Sequence, residues 1–354
     1  MPSQVVIDNT LDQLYKIAGK EGKLTGFCIG NTKKNNPAGY FFTPIRHTSD
    51  IICASVIVYS DAEAIKIAKH IDGRVDFVFV DSEKKASNPN LEEKQLSNIE
   101  RAVRENVKKS RVLTYKGNDI TVNAIECLIN ATTFSHPRGI SGKKVAIIGC
   151  GNIGSKLALR LVEQGANVFV SRRDNKKLQL IVSALNAIKP TNTSSVIIAA
   201  KDNLSATENA DLVIGLTNDS PSITRDMVNH MAPNSTLIDA GKGTCDLLAI
   251  KLAQKRKLHI FRTDIRSAFE GHISMLMHMD SLLKKSYGRK IINGVPMVSA
   301  GLIGFYNEVV VDNCHSPKFA YGIADGRGDF IRKLDDDQKN RIVTIKNYIE
   351  DLEK

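Results

Sequence analysis

Apolar and polar positions in the first 125 residues follow two different periods. Apolar, β-branched runs at residues 51–58 and 75–80 are typical of buried strands, and apolar positions at helical spacing fill residues 61–71 between them. A charged helix is predicted over residues 91–109, with a short strand over 111–115. This order predicts a small α/β domain without a glycine-rich turn.

A clearer alternation of strands and helices begins at Val145 and continues to about residue 265. A helix predicted over residues 120–131 connects it to the first domain. Further helices are predicted over residues 267–285 and 335–352. The pattern predicts an α/β protein in which a smaller α/β domain precedes a doubly wound parallel sheet and a C-terminal helix ends the chain.

Three parts follow from these elements. We predict an N-terminal α/β domain at residues 1–125, a doubly wound domain at 126–285 and a C-terminal segment with a closing helix at 286–354. The length of 354 residues suffices for two compact domains.

Composition narrows the class of protein. The hydrophobic fraction of 42% and the charged fraction of 25% are those of ordinary globular proteins. No apolar stretch approaches the roughly 18 residues that span a bilayer, and the first residues lack a signal-peptide pattern. The six cysteines are widely spaced without a CxxC pair. We therefore expect a cytoplasmic protein with free thiols, no metal site and no membrane partner.

The net charge of +11 leaves two interpretations open. It indicates either an anionic partner or a solvated basic surface. Basic residues are scattered in short pairs and tryptophan is absent, which argues against nucleic acid as a partner.

One segment carries a specific motif. The apolar run at residues 145–148 leads directly into a GxGxxG turn at residues 149–154. An amphipathic helix predicted over residues 155–164 follows, and a second strand over 167–170 completes the unit. In this strand–turn–helix–strand setting the motif predicts a dinucleotide-binding Rossmann unit.

Each glycine of this motif has a physical role. Gly149 permits the tight turn, Gly151 lets the backbone approach a pyrophosphate, and Gly154 lets the helix pack closely on the strand. Asn152 and Ile153 complete the turn, where helix N–H groups favour phosphate binding.

The end of the second strand indicates which dinucleotide binds. An NAD site usually places Asp or Glu there to accept the ribose 2′-hydroxyl, whereas this strand ends in Ser171, Arg172 and Arg173. A serine and two arginines can bind a 2′-phosphate, so the sequence favours NADP over NAD. The alternative is that both arginines are simply solvated.

Two later strands end in loops that should border the nicotinamide, because ligands of doubly wound sheets lie at the carboxyl ends of the strands. These loops contribute the cofactor-side candidates Thr217, Asn218, Asp239 and Gly241. Each of them is also compatible with a simple turn-forming role.

The order of parts resembles the superfamily of amino-acid-dehydrogenase-like Rossmann enzymes. Its members include methylenetetrahydrofolate dehydrogenase, methylenetetrahydromethanopterin dehydrogenase and shikimate dehydrogenase. The resemblance covers roughly residues 111–245 and rests on the linking helix with Thr121, the glycine turn, and a strand end similar to the NADP-type ends of those enzymes. Neither the Tyr-x-x-x-Lys helix of the folate enzymes nor the Asn-Thr-Asp signature of shikimate dehydrogenase is present, so no substrate is implied.

Proton-transfer groups are expected across a cleft from the nicotinamide, near the linking helix. Lys116 is the predicted acid/base, and Asp119 would tune it or hold substrate. Thr121 and Asn123 are predicted to bind a polar substrate. The alternative is a solvated turn at this position.

The function predicted from the sequence is that of an NADP-dependent dehydrogenase. It would transfer a hydride between the nicotinamide and a small polar metabolite at a C–OH or C–N centre. One rival is a methylenetetrahydrofolate or methylenetetrahydromethanopterin type of dehydrogenase, which needs an aromatic slot for a fused ring. A small acid would need converging basic groups instead. The other rival is a non-catalytic NADPH sensor. The reaction direction and the oligomeric state, including a homodimer, stay open.

Overall fold

The computed structural model describes residues 4–32, 40–86, 97–217 and 221–353. Two compact units divide the chain, Met1–His272 and Ile273–Lys354. The three-part division with boundaries at residues 125 and 285 stays a prediction.

A mixed five-stranded sheet forms the N-terminal part of the first unit. Its strands are β1 (Leu24–Asn31), β2 (Tyr40–His47), β3 (Ile51–Val58), β4 (Phe77–Asp81) and β5 (Arg111–Tyr115). Their order is β2-β3-β1-β4-β5, and β2 alone of these five runs antiparallel to its neighbour. The accompanying helices are α1 (Gln4–Glu21), α2 (Asp61–Ile71) and α3 (Ile99–Asn106). The carboxyl ends of the four parallel strands therefore meet at one edge.

The apolar periods predicted some elements of this domain, but α1, β1 and β2 were not predicted although β1 is a buried central strand. The strand over residues 51–58 and the helix over 61–71 have the predicted bounds, since continuous burial and the capping side chain of Ser60 define them locally. The helix predicted over residues 91–109 was too long at its C-terminal end, because it stops at Asn106. The backbone N–H groups of residues 108–110 instead bind the carboxylate of Asp72, which holds that segment extended. Residues 87–96 lie outside the described residues.

The second sheet of this unit has six parallel strands in the order β11-β10-β9-β6-β7-β8. The strands are β6 (Lys144–Ile148), β7 (Asn167–Ser171), β8 (Ile197–Ala199), β9 (Leu212–Gly215), β10 (Thr236–Asp239) and β11 (His259–Arg262). The connecting helices are α4 (Gly117–Thr133), α5 (Asn152–Glu163), α6 (Asn175–Ile188), α7 (Asn203–Thr207), α8 (Arg225–Asn229), α9 (Leu247–Lys255) and α10 (Arg266–Lys285). This is the strand order of a doubly wound Rossmann sheet, so the predicted fold class is confirmed.

A polar seam fixes the linking helix α4 along α5. Side chains from successive turns of α4 meet partners spaced four residues apart along α5 and its C-cap residue. The hydrogen-bonded pairs are Asn118 with Asn152, Asp119 with Lys156, Asn123 with Arg160, Glu126 with Arg160, and Glu126 with Gln164. The start of α4 is thus held beside the start of α5.

The second unit contains a small sheet that the sequence did not predict. Its strands are β12 (Arg289–Ile292), β13 (Val295–Ser299), β14 (Val309–Val311) and β15 (Ala320–Ile323), in the order of the chain. The predicted closing helix is present as α11 (Asp336–Glu353), and its Ile345 packs with Met297 and Val309. The strands are only three to five residues long, which is too short for a clear period.

Among the described residues, no helix combines the length and apolar character needed to cross a membrane.

Candidate functional site

The glycine turn lies at the centre of the doubly wound sheet, where the strand order reverses between β6 and β9. The backbone N–H groups of Gly149 and Cys150 both donate to the carbonyl of Ser171, which closes the turn. Helix α5 starts at Asn152, and its N-cap residue Gly151 provides no capping side chain. The N–H groups of the first helical turn are therefore available to an anion at the switch point of the sheet.

The three glycines have different surroundings. Gly149 has φ +108, a backbone conformation that L side chains rarely adopt. A Cβ on Gly154 would lie 2.5 Å from the carbonyl oxygen of Gly149. A Cβ on Gly151 would have no atom within 4 Å, so the space above this residue is open. The turn is tightly packed at Gly149 and Gly154 and open at Gly151, which is the geometry that a bound pyrophosphate needs.

The strand end beside this turn is basic. Arg172 donates from Nη1 to the carbonyl oxygen of Cys150 at 2.8 Å, so its guanidinium lies against the glycine turn. The buried hydroxyl of Ser171 donates to Asn203 Oδ1 at 2.7 Å. Arg173 is exposed and lines the same groove of about 550 Å³ as the glycine turn. The sequence-predicted residues of the phosphate turn and strand end therefore meet in one groove.

The predicted loop residues have mixed positions. Thr217 lines the groove, and its Oγ1 is 2.7 Å from the hydroxyl of Ser222. Gly241 lies so close to the backbone of Thr217 that a Cβ would overlap the carbonyl oxygen. Asn218 lies outside the described residues.

Asp239 has the hydrogen bonds of a turn former. It accepts from the backbone N–H of Gly243 at 2.6 Å and from the hydroxyl of Thr244 at 2.7 Å. Partial burial raises the pKa of this carboxyl, but the hydrogen bonds from Gly243 and Thr244 outweigh it and leave the pKa below its usual value. Asp239 thereby stabilises the loop that carries Lys242.

A second cavity, of about 470 Å³, opens between the carboxyl edge of the five-stranded sheet and the loop after β10. We call it the cleft. It is lined by polar or charged residues from β2, β4, the loop after β4, the start of α4 and the loop after β10, together with Phe269 of α10. These include Arg46, Asp81, Lys85, Asn118, Thr121 and Lys242.

Lys85 lies at the floor of the cleft between two acids. Its Nζ is 2.8 Å from Asp81 Oδ2 and 2.7 Å from Glu83 Oε2. The two carboxylates also accept from the N-terminal backbone of α4, Asp81 from Gly117 at 3.3 Å and Glu83 from Asn118 at 2.8 Å. Such an ammonium, fixed in a partly buried network, can hold or move a proton at a substrate oxygen or nitrogen.

Tyr115 lines the cleft at the end of β5. Removal from water, with the fields of Cys28 and Asp81, raises the pKa of this phenol well above its usual value. The phenol therefore stays neutral and can act as a hydrogen-bond donor.

The structure does not bring the four predicted substrate-side residues into one site. Lys116 is the exposed N-cap residue of α4 and does not line the cleft. Asp119 lies in the first turn of α4, not before the helix, and pairs with Lys156 at 2.5 Å. Thr121 lines the cleft, although its hydroxyl donates to the Gly117 carbonyl at 3.1 Å. Asn123 accepts from Arg160 and so faces α5.

Sequence reasoning missed Arg46, Asp81, Lys85 and Lys242. Asp81 carried a usable signal, because an acid at the carboxyl end of a parallel strand faces the ligand edge of the sheet. Lys85 lies in the segment after β4, for which no site residue was predicted, and Arg46 lies in a strand that was not predicted. Their proximity depends on the pairing of distant strands.

Comparisons with known proteins agree with the Rossmann part. Residues 144–242 match a family described as "NADP oxidoreductase coenzyme F420-dependent". A curated relative, the ketol-acid reductoisomerase (NADP(+)) of Buchnera aphidicola subsp. Schizaphis graminum, is 35% identical over 100 residues. That alignment covers 28% of this chain and only 19% of the relative, so the chain spans about a fifth of the curated relative's length.

Solved structures resemble the chain only distantly. L-tryptophan dehydrogenase from Nostoc punctiforme is 13% identical with a TM-score of 0.43, over 73% of this chain and 75% of that one. The dipicolinate synthase A chain from Bacillus subtilis is 16% identical with a TM-score of 0.36, over 74% and 98%. Likeness at this level implies no shared activity.

Proposed function

We propose that the protein is an NADP-dependent oxidoreductase that acts on a small polar metabolite in the cleft, at a C–OH or C–N centre. One observation carries this proposal. The open glycine turn, the uncapped start of α5 and the Ser171-Arg172-Arg173 strand end line a single groove. The turn fits a pyrophosphate, and the arginines fit the 2′-phosphate that distinguishes NADP from NAD.

The comparisons support the cofactor assignment. The matching family and the curated relative both carry NADP in their names, and both matches are partial. The family match, residues 144–242, begins at the first residue of β6 and ends at Lys242. It therefore contains the whole groove, while the cleft draws most of its walls from outside the matched segment.

The chain itself must hold the substrate and move one proton. The nicotinamide, when bound, supplies or accepts the hydride. Lys85 is our proposal for the proton-transfer residue, because its ammonium lines the cleft and Asp81 and Glu83 fix its position. The roles predicted for Lys116 and Asp119 stay predictions. Lys116 has less support as the acid/base than Lys85, because Lys116 is exposed.

The walls of the cleft favour a small substrate over a fused-ring cofactor. Arg46 and Lys242 are converging basic groups of the kind expected for a small acid. Four aromatic residues also line the cleft, Phe41, Tyr59, Tyr115 and Phe269, and the guanidinium of Arg46 covers the ring of Phe269. The two converging cations give a small acid more support than the rival folate or pterin activity has. A non-catalytic NADPH sensor would leave the Lys85 network without a role.

Titration of the purified chain with NADPH and NADH tests the proposal. The chain has no tryptophan whose fluorescence could be followed, so binding is measured by the fluorescence of the reduced nicotinamide. We expect NADPH to bind at least tenfold more tightly than NADH. Replacing both Arg172 and Arg173 by Ala should weaken NADPH binding about 10- to 100-fold and NADH binding by a much smaller factor, since Arg172 also contacts the glycine turn. The control is Lys176→Ala, at an exposed position of α6 outside the groove. Equal affinity of the wild type for the two dinucleotides would overturn the assignment.

A further inference from the structure

Charged groups in the cleft fall into two sets. The positive charge of Lys85 is offset by the carboxylates of Asp81 and Glu83, which it contacts. Glu83 is also 4.0 Å from Lys156. Arg46 and Lys242 also line the cleft, and within the described parts of the chain neither forms an ion pair. Among the described residues, the positive charges of Arg46 and Lys242 are therefore not offset by an ion pair.

Neutral groups hold Arg46 in place. The pairing of β2 with β3 shifts between Thr43 and Arg46, and such an irregularity re-aims the side chains beside it. Arg46 Nη1 donates to the hydroxyls of Thr43 at 2.9 Å and Ser55 at 2.8 Å. Its guanidinium carbon lies 5.1 Å from the ring centroid of Phe269. These contacts fix the position of the guanidinium without neutralising its charge.

The guanidinium has donors left for a ligand. Its two bonds to hydroxyls both leave from Nη1, and an arginine carries five N–H donors in a planar fork. Asp264, whose field reaches Arg46, is itself paired with Arg266 at 2.5 Å. A partly buried arginine held by hydroxyls and an aromatic ring is suited to bidentate recognition of a planar anion.

Lys242 faces the cleft from the loop after β10. Its backbone has φ +64, a left-handed conformation that costs a non-glycine residue about 1–2 kcal/mol. The loop tolerates this because Asp239 binds the backbone of Gly243 and Thr244 on its far side. The hydrogen bonds of Asp239 therefore fix the backbone of the loop that carries Lys242.

The anion that fits is a carboxylate. A phosphate would normally use the free N–H groups at a helix N-terminus. Here the natural donors are Gly117 and Asn118 at the start of α4, and the carboxylates of Asp81 and Glu83 already accept from them. The remaining cationic partners, Arg46 and Lys242, suit a planar carboxylate without a helix dipole.

We propose that the substrate is a small organic acid whose carboxylate binds Arg46 in the cleft, with Lys242 as a second cationic contact. This inference rests on the proposed NADP-dependent activity. It places the reacting C–OH or C–N carbon of the acid between the carboxylate site and Lys85. A cavity of about 470 Å³ is large enough for a molecule of this class.

Substrate screening with NADP-loaded full-length protein tests the proposal. The panel consists of 2-hydroxy acids and 2-amino acids, each paired with its neutral amide, and turnover is followed by the absorbance of the reduced nicotinamide. We expect at least one acid to be oxidised and its amide to have a KM about 10- to 100-fold higher. The inference would be overturned if an amide were oxidised as well as its acid. It would also be overturned if none of the acids were oxidised.

Variants locate the carboxylate site. Arg46→Gln keeps a donor for Thr43 and Ser55 but removes the charge, and should raise KM for the acid about 10- to 100-fold. Lys242→Gln should raise it by a smaller factor, because Lys242 is exposed. The control is Lys69→Gln, at an exposed position of α2, which should change nothing. An Arg46→Gln protein with the KM of the control would refute the assignment.

The same samples separate this inference from the proposed function. NADPH affinity is measured for each variant and should not change, because the three residues lie outside the NADP groove, and melting temperature shows that each variant is folded. Absent NADPH binding in the wild type would refute the proposed function. Intact NADPH binding without carboxylate preference would refute only the substrate class.

Discussion

Adding one methyl group at each of two glycines of the same turn should lower stability at one and leave it unchanged at the other. Gly154 is in the first turn of α5, and its Cβ would lie 2.5 Å from the carbonyl oxygen of Gly149 and 3.4 Å from Ile147 Cγ2. The first of these atoms is backbone of the phosphate turn and cannot rotate away. The start of α5 would therefore have to move away from β6 by most of an ångström.

The magnitude follows from two opposing effects. Overpacking of this kind costs typically 1–3 kcal/mol and sometimes more. Replacing glycine by alanine within a helix recovers about 1 kcal/mol of conformational preference at most. The clash is with backbone, so the upper part of the overpacking range applies, and we expect Gly154→Ala to lose about 1–2 kcal/mol in net free energy of unfolding and roughly 2–8 °C in melting temperature. Binding of NADPH should fall as well, because the displaced atoms form the phosphate turn.

Gly151→Ala is the matched variant. No atom lies within 4 Å of its added Cβ, and its φ of −100 suits alanine. Its melting temperature should match the wild type, while NADPH affinity should fall about 10- to 100-fold because the methyl group fills the approach to the pyrophosphate. Thermal unfolding and nicotinamide fluorescence measure the two quantities on the same samples. A Gly151→Ala protein that binds NADPH normally, or that melts as early as Gly154→Ala, would refute the reasoning.

Two further changes test single residues. Asp239→Asn should cost about 1–2 kcal/mol at pH 7, because the charged acceptor of the Gly243 and Thr244 hydrogen bonds is lost. The folded pKa of Asp239 is lowered, so its stabilising contribution is present above the unfolded pKa of about 3.9 and is lost as the pH falls through the folded value. The free energies of unfolding of variant and wild type, measured in urea, should therefore differ less at pH 3 than at pH 5. An equal difference at the two pH values would contradict this account. Lys85→Met should lower kcat about 10²- to 10⁴-fold at unchanged NADPH affinity, whereas Lys84→Met at the exposed neighbouring position should have no effect. Full turnover by Lys85→Met would exclude Lys85 as the proton-transfer residue.

Two helices begin earlier in the structure than the sequence predicted. The helix after the glycine turn was predicted to begin at residue 155 and begins at Asn152, because glycine and asparagine are poor helix formers by propensity and tertiary contacts overrule them. The linking helix α4 begins at Gly117, so Asp119 lies within it and not before it. That shift of one turn directs Asp119 to Lys156 on α5.

The sequence by itself determined the Rossmann unit. Its strands are continuous apolar runs, and its phosphate turn and basic strand end lie within 30 residues of one another, so local patterns contain the whole groove apart from its later loops. Only the tertiary structure decided the cleft. Arg46, Lys85 and Lys242 come from segments almost 200 residues apart, and their convergence depends on strand pairing and on one irregularity in β2. No local period records such long-range contacts, because periodicity reports which face of an element is buried and not which element lies opposite.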